Sequence, residues 1–181
     1  MKKTMLFFSL VALASGAFAQ DKLTTTTAVV GFDATTPKDA FPKAENKTVV
    51  GSIDKKTGVI MFEAAVNNFA FSNAMIQEHF NGAQWLNSAQ YPKFTFSGKI
   101  DKVSKVKFAK DGKYNVQVSG TLTVKGITKP IKTLATITVA GGKVSATSNF
   151  GFKLADYGIT GQAIDGGKVA PSPKVSVSAQ F

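Results

Sequence analysis

The chain has 181 residues and a net charge of +11, and all 22 of its basic residues are lysine. With 44% hydrophobic and 18% charged residues it has the composition of a core-forming chain, and its length fits one domain. The absence of cysteine excludes disulfides, thiolate metal sites and a cysteine nucleophile, and a single histidine excludes a zinc site built on several imidazoles.

The first 19 residues have the pattern of a cleaved signal peptide. Two lysines precede an apolar stretch over residues 5–14, and an Ala-Phe-Ala cleavage site ends at residue 19. The apolar stretch is too short for a membrane-spanning helix, and because no cysteine follows it we expect no lipoprotein anchor. We therefore predict a single domain over residues 20–181 that is periplasmic or secreted.

Residues 72–88 have helical rather than strand-like spacing. Ser72 or Asn73 is a candidate N-cap, and Trp85 continues the apolar stripe until the segment ends before Pro92. The residues that fall on one predicted helix face are Met75, Ile76, His79 and Phe80.

Much of the remaining chain alternates between apolar and polar residues with the period of two that is typical of a strand with one buried face. The stretches with this pattern are 93–100, 114–124, 131–139, 144–152 and 174–181. Asp-Gly and Gly-Gly pairs between them indicate tight turns, so the strands are predicted to be antiparallel.

About eight such strands must close or stack to bury their apolar faces, and a closed barrel also removes exposed edges. We therefore predict an all-β fold, an antiparallel barrel of about eight strands with a short helical lid, and keep a β-sandwich as the alternative. A barrel of this size is either filled by its own side chains or holds one small ligand. A long loop over residues 161–173, rich in glycine and proline, is a second candidate lid.

Four segments carry a resemblance that covers most of the predicted domain. They are residues 75–81 (MIQEHFN), 91–98 (YPKFTFSG), 120–131 (GTLTVKGITKPI) and 156–159 (DYGI). In order and spacing they resemble the YceI-like family of exported polyisoprenoid-binding proteins. The resemblance implies a lipocalin-like barrel whose apolar interior holds a long isoprenoid chain. We expect no cofactor apart from a bound isoprenoid or quinone lipid. Because the chain has no arginine, a quinone-like or less charged head group fits it at least as well as a lipid diphosphate.

Aromatic side chains are the main candidates for a ligand site, because a pocket for an alkyl chain needs apolar walls. A single Phe is more often part of a packed core, so the cavity interpretation depends on the whole set and on the resemblance. His79 either contacts a head group or hydrogen-bonds to the nearest strand. The candidate cavity and mouth residues are Phe69, Phe71, Met75, His79, Phe80, Trp85, Phe94, Phe96, Leu122, Phe150, Phe152 and Tyr157.

Neither a G-x-S-x-G nor an H-E-x-x-H motif is present, so we predict that the protein is not an enzyme. Six lysines between residues 99 and 113 form a basic stretch, but without arginine or a surplus of aromatic residues it does not predict nucleic-acid binding. We interpret it as a solvated face with a weak attraction to anionic membrane surfaces. The predicted function is an exported protein that binds an isoprenoid or quinone-like amphiphile for storage or transfer. The alternative is a structural or stress-related interaction barrel with a filled core.

Overall fold

The computed structural model describes residues 21–181, so the predicted signal peptide at residues 1–19 lies outside the described residues. In this part of the chain no helix is long and apolar enough to cross a bilayer. The strands are β1 (Lys22–Asp33), β2 (Lys43–Asp54), β3 (Val59–Ala65), β4 (Ala70–Phe71), β5 (Lys93–Ile100), β6 (Gly112–Val124), β7 (Ile127–Ala140), β8 (Lys143–Gly151) and β9 (Lys174–Gln180). The helices are α1 (Ala74–Asn81) and α2 (Gln162–Asp165), and short 3-10 turns lie at Val66–Asn68, Val103–Lys105 and Leu154–Tyr157.

Eight of the strands described in residues 21–181 form a closed antiparallel barrel. Each long strand pairs with the next long strand along the chain, and β1 pairs with both β2 and β9. The two-residue β4 only adds to β2. The predicted all-β barrel is confirmed, and the alternative sandwich is wrong because two stacked sheets would leave edges that here are paired.

The β6–β7 hairpin shows how the sequence determines the register. Val116 is buried and its neighbour Gln117 is exposed, as strand alternation requires. The two-residue turn places Lys125 at φ 50° and Gly126 at φ 74°, the pair of left-handed residues that a tight hairpin favours. A side chain at Gly126 would also collide with Tyr91, whose Cε1 atom lies 2.7 Å from the position of a Cβ atom.

The two ends of the barrel carry different connections. The mouth end consists of residues 34–42, 66–92, 125–126 and 152–173 and contains both helices, whereas the far end consists of residues 55–58, 101–111 and 141–142. One apolar cluster fills the mouth half, and a second cluster around Ile53, Ile100 and Ile137 fills the far half. Phe62 and Phe96 pack against both clusters and join them.

Helix α1 begins where the sequence predicts. Asn73 is its N-cap, and the Asn73 side-chain oxygen accepts hydrogen bonds from the backbone N–H groups of Met75 and Ile76 at 2.9 and 3.3 Å. Only Phe80 is buried on the predicted helix face, whereas Met75 is 65% exposed and His79 is exposed. The predicted apolar face is therefore narrower than the sequence spacing indicates.

The prediction that this helical segment continues to residue 88 is wrong. The chain folds back after Gly82, and the backbone N–H groups of Leu86 and Ser88 bond to the carbonyls of Phe80 and Asn81 at 3.3 and 3.0 Å. Asn87 adopts a φ of 48° in this turn. These bonds satisfy carbonyls at the end of α1, so the helix stops at Asn81. The predicted loop at 161–173 likewise differs, because its first residues form α2.

Substitutions on the two faces of β7 test the direction of its side chains. Ile137 is fully buried, so Ile137→Ala should lower the free energy of unfolding by about 2–5 kcal/mol through lost burial and a residual void. Leu134 is 73% exposed on the opposite face, so Leu134→Ala should change the free energy of unfolding by less than about 0.5 kcal/mol. Urea denaturation measures both changes, and equal losses would contradict the assignment.

Candidate ligand-binding site

An apolar cavity of about 150 Å³ lies inside the barrel. Its walls extend from Ile53 and Ile60 in the far half to Phe80 and Trp85 at the mouth, and no charged residue lines them. The side chains with hydroxyl groups among the lining residues are Thr95, Thr133, Thr147 and Ser148. An interior of this kind offers hydrocarbon a water-free surface and offers a charged group no partner.

Two of the wall hydroxyls bond within the wall itself. The Thr133 and Ser148 hydroxyl oxygens lie 3.1 Å apart, and the Ser148 hydroxyl donates to the carbonyl of Leu134 at 2.8 Å. Because these bonds are made inside the protein, the two groups remain satisfied beside an apolar ligand.

Glycines on the inner face make room for two of the cavity's aromatic rings. A Cβ atom at Gly51 would overlap the ring of Phe62. A Cβ atom at Gly98 would lie 2.5 Å from Cζ of Phe96, and one at Gly120 would lie 2.9 Å from the same atom. Each ring therefore occupies space that an inward side chain would take at these glycines, on a neighbouring strand for Gly51 and Gly120 and on the same strand for Gly98.

An aromatic group at the mouth separates this cavity from the outside. Phe80 projects from α1 between three other rings, with centroid distances of 4.8 Å to Phe71, 5.7 Å to Phe32 and 5.9 Å to Phe69. The edge and tilted arrangements are favourable ones for aromatic pairs. We call Phe32, Phe80 and Trp85 the gate, because these residues line both the inner cavity and a second cavity on the mouth side.

The second cavity, which we call the vestibule, has a volume of about 550 Å³ and a mixed surface. Its charged or strongly polar lining residues are Asp39, His79, Gln162 and Lys168, and its remaining walls come from α1, α2 and the 34–42 connection. No group of three or more His, Asp or Glu side chains in residues 21–181 could hold a metal ion. The vestibule can therefore offer a ligand hydrogen-bonding groups and single charges, next to the apolar gate.

One wall of the vestibule is held by hydrogen bonds between distant segments. The Thr36 hydroxyl donates to the carbonyl of Gly167 at 2.8 Å, and the Lys38 ammonium group donates to the carbonyl of Gly166 at 3.1 Å. The backbone N–H of Ala170 donates to the carbonyl of Ala34 at 2.8 Å. The opposite wall, α1, buries only Phe80, so the α1 side is the less firmly packed one.

The structure places the twelve predicted site residues in three groups. Those that line the inner cavity are Phe69, Phe80, Trp85, Phe94, Phe96, Leu122, Phe150 and Phe152. Phe71, Met75 and His79 line the vestibule together with Phe80 and Trp85. His79 lines the vestibule, and among the described residues its side chain makes no hydrogen bond to a strand, which was one of its two predicted roles.

Tyr157 lines neither cavity. It is 2% exposed and packs edge-on against Phe152, with ring centroids 5.2 Å apart. Burial, with a smaller contribution from the neighbouring carboxylate of Asp156, raises the pKa of the Tyr157 hydroxyl. Tyr157 thus packs against Phe152, a residue of the inner cavity wall, without lining the cavity itself.

The sequence interpretation missed several lining residues. Val30 and Phe32 lie on β1, where four successive threonines and a bulge obscure the alternation. Asp39, Gln162 and Lys168 lie in connections, where no periodicity marks the direction of a side chain.

The predicted basic stretch lies at the far end, opposite the vestibule. Hydrogen bonds from Ser119 and Gln117 lower the pKa of the Asp101 carboxyl and tie this acidic group to β6. The ion pairs among the described residues are Lys47–Glu45 at 3.1 Å and Lys93–Glu63 at 2.7 Å, so the lysines of residues 102–113 have no carboxylate partner there. The far end therefore presents unpaired positive charge.

The buried Tyr157 predicts a specific loss of stability in alkali. Because its pKa is raised in the folded state, it stabilises the fold below its unfolded pKa of about 10, and this contribution is lost as the pH rises towards the folded value. Urea midpoints between about pH 8 and 11 should therefore fall less steeply for Tyr157→Phe than for the wild type. The lysines titrate alike in both proteins, and identical slopes would contradict the expectation.

Known proteins share this architecture. BcnA from Burkholderia cenocepacia has 19% identity and a TM-score of 0.71, and the match covers 85% of this chain and 96% of that one. A polyisoprenoid binding domain from Saccharophagus degradans, implicated in plant cell wall breakdown, has 14% identity and a TM-score of 0.74. The match covers 88% of this chain and 97% of that domain's chain. The YCEI protein of Campylobacter jejuni has 17% identity and a TM-score of 0.54, and the match covers 100% of this chain and 99% of that one.

At these identities the three structures show a common fold. No curated protein matches the chain. The family model described as the YceI-like domain matches residues 17–181, which is nearly the whole chain. This protein therefore belongs to the YceI-like domain family.

Proposed function

We propose that this chain is an exported lipid-binding protein that holds an isoprenoid or quinone-like amphiphile in its barrel for storage or transfer, without catalysis. The observation that carries the proposal is that the two cavities are adjacent and share three lining residues. An uncharged apolar interior meets a polar vestibule at the shared gate of Phe32, Phe80 and Trp85. An amphiphile with a long chain and a small polar head has this same division of polarity.

Binding would be driven by removal of the chain from water, worth about 25 cal/mol for each Å² of apolar surface buried. The head group would lie in the vestibule between α1 and the α2 connection. At about 150 Å³ the inner cavity is smaller than ligand pockets of roughly 300–1,000 Å³. We therefore expect a long chain to displace gate rings as it enters, with α1 as the movable wall.

Family membership and one structural neighbour support the lipid class. The Saccharophagus degradans domain is described as polyisoprenoid binding and shares the fold at 14% identity. Because one fold can carry unrelated functions, the neighbour supports the proposal only together with the apolar cavity of this chain. The signal-peptide pattern of residues 1–19 supports a periplasmic or secreted location.

The second candidate function is a structural or stress-related interaction barrel that takes no ligand. The small volume of the inner cavity favours it, since side chains already fill most of the interior. The two candidates differ in what happens when the void is filled. Filling removes the ligand site in a lipid-binding protein and only improves packing in a closed-core protein.

A cavity-filling substitution distinguishes these candidates. Ala135 lines the inner cavity, so Ala135→Leu should reduce uptake of an isoprenoid or quinone lipid at least tenfold, because the leucine takes the volume of the chain. Ala140→Leu adds the same side chain at an exposed position of β7 and should bind as the wild type does. Uptake is followed by emission of Trp85, the only tryptophan and a gate residue, and by mass spectrometry of extracted lipid.

Two results would argue against lipid binding. The first is absence of both co-purified lipid and uptake in the wild type. The second is unchanged uptake in Ala135→Leu, provided that circular dichroism and urea midpoints show a folded protein. If Ala135→Leu is more stable than the wild type and neither protein takes up lipid, the closed-core candidate is supported.

The far-end lysines predict an association with anionic membrane surfaces that is separate from ligand binding. Each lysine near such a surface contributes about 1 kcal/mol, so changing Lys107 and Lys110 to Glu should weaken vesicle binding at least tenfold. The same change at Lys153 in the mouth end, and at Lys129 close to the mouth-end turn at residues 125–126, should have a smaller effect. Binding to phosphatidylserine vesicles in a sedimentation assay should vanish near 1 M salt, and binding that is insensitive to salt would contradict this.

A further inference from the structure

Large apolar side chains are exposed at the mouth end of the barrel. Phe41 is 55% exposed in the 34–42 connection, Met75 is 65% exposed on α1, and Ile127 is 38% exposed directly after the turn at residues 125–126. In the far-end connections, all of which the structure describes, no large apolar side chain is exposed. Phe41, Met75 and Ile127, which we call the rim, thus bring apolar surface from three segments to the end that holds the vestibule.

Two rim residues lie on opposite walls of the vestibule. Met75 lines the α1 wall, and Asp39 and Pro42, on either side of Phe41, line the facing wall. The backbone of Phe41 is held in place, because its N–H donates to the carboxylate of Asp39 at 2.8 Å and the N–H of Ala34 donates to the carbonyl of Pro42 at 2.8 Å. The Phe41 side chain lines neither cavity, so the ligand site does not explain why it is exposed.

The charges of the mouth end cancel. Its connections carry four lysines and four acidic residues, whereas the far-end connections carry six lysines and two aspartates. The mouth-end charges are Lys38, Lys125, Lys153 and Lys168 against Asp39, Glu78, Asp156 and Asp165. An end without net charge gains little from an anionic surface, so apolar contact decides what it binds.

A lipid bilayer suits the rim better than a protein surface does. A stable protein interface takes about 20–30 residues on each side, and the rim consists of three separate ones. A fluid bilayer surface accommodates separate apolar side chains, which gain free energy when they leave water for the boundary of the acyl chains. A long isoprenoid or quinone is dissolved in bilayers and almost insoluble in water, so a mouth that meets a bilayer spares the chain a passage through water.

We propose that the rim docks the mouth of the barrel on the surface of a lipid bilayer, and that lipid passes between bilayer and vestibule during this contact. The proposal rests on the proposed function, because it assigns how the same site exchanges its ligand. The docking differs from the attraction of the far-end lysines to anionic membranes. The two contacts use opposite ends of the barrel, so one bilayer can engage only one of them at a time.

Uptake from phosphatidylcholine vesicles tests the docking, because these vesicles have no net charge to attract the far-end lysines. Geranylgeraniol in the vesicles is the probe, and the emission of Trp85 in the gate follows its uptake. At a fixed fraction of geranylgeraniol in the bilayer, the initial rate should rise in proportion to the vesicle concentration when contact transfers the lipid. A lipid that first dissolves in water gives a rate independent of vesicle concentration, since the fraction in the bilayer fixes the dissolved amount.

Substitutions in the rim test which residues make the contact. Phe41 and Ile127 line neither cavity, so changing them leaves the ligand site intact. The double variant Phe41→Ser/Ile127→Ser should take up geranylgeraniol from vesicles roughly fivefold more slowly, because less apolar surface enters the bilayer. Its uptake from methyl-β-cyclodextrin, a source without a bilayer, should equal that of the wild type. Phe41→Ser alone should slow uptake from vesicles roughly twofold and serves if the double variant does not fold.

Two control variants match these changes. Met61→Ser/Leu134→Ser removes apolar side chains that are 51% and 73% exposed on the barrel wall, away from the mouth. Changing Lys107 and Lys110 to Glu alters the charge of the far end. Both controls should take up geranylgeraniol from phosphatidylcholine vesicles at the wild-type rate.

The outcomes separate the docking from the proposed function. If the wild-type rate does not depend on vesicle concentration, or if the rim variant matches the wild type, docking by the rim is wrong while lipid binding stands. If the rim variant keeps the wild-type rate but sediments as a smaller species, the rim joins two copies of the chain and the inference is overturned. If the wild type takes up neither geranylgeraniol nor a quinone of the same chain length from either source, the proposed function itself fails.

Discussion

The β1–β2 and β1–β9 ladders close the sheet, and the rest of the molecule depends on that closure. In an open sheet the apolar faces of these strands would need a second layer to cover them. In the closed barrel they face one another, and burial of their shared surface is the main favourable term of the fold. Closure also sorts the connections, with both helices and the vestibule at the mouth and the unpaired lysines at the far end.

The size of the cavity reflects a balance between large and small residues on the inner face. Phe62 and Phe96 are bulky, but they occupy the space left by the inward-facing glycines Gly51, Gly98 and Gly120. Rings that lay across the lumen would fill it, and still smaller residues would leave a larger void at a cost in stability. The inner face thus retains room for a chain while it still packs well enough to hold the barrel together.

Polarity is separated along the barrel axis. The inner cavity has no charged lining residue, the vestibule has one charge of each sign, and the far end carries an excess of lysine. An amphiphile with its head at the mouth matches this order, and the far-end charge acts independently because the length of the barrel exceeds the screening length of physiological salt, about 8 Å. Function in this proposal follows from where apolar and polar surface lies, and no reactive group takes part in it.

The sequence by itself determined the all-β class, the five strands from β5 to β9 and eight residues of the cavity wall. Side-chain alternation is a local property of extended backbone, so it marked Phe94, Phe96 and Leu122 as inward residues, and Asn73 was a candidate N-cap because capping is local too. Only the tertiary structure decided where α1 ends and that Asp39 and Lys168 share a vestibule. Those features depend on which distant connections meet when the barrel closes, and connections have no periodicity from which the direction of a side chain can be read.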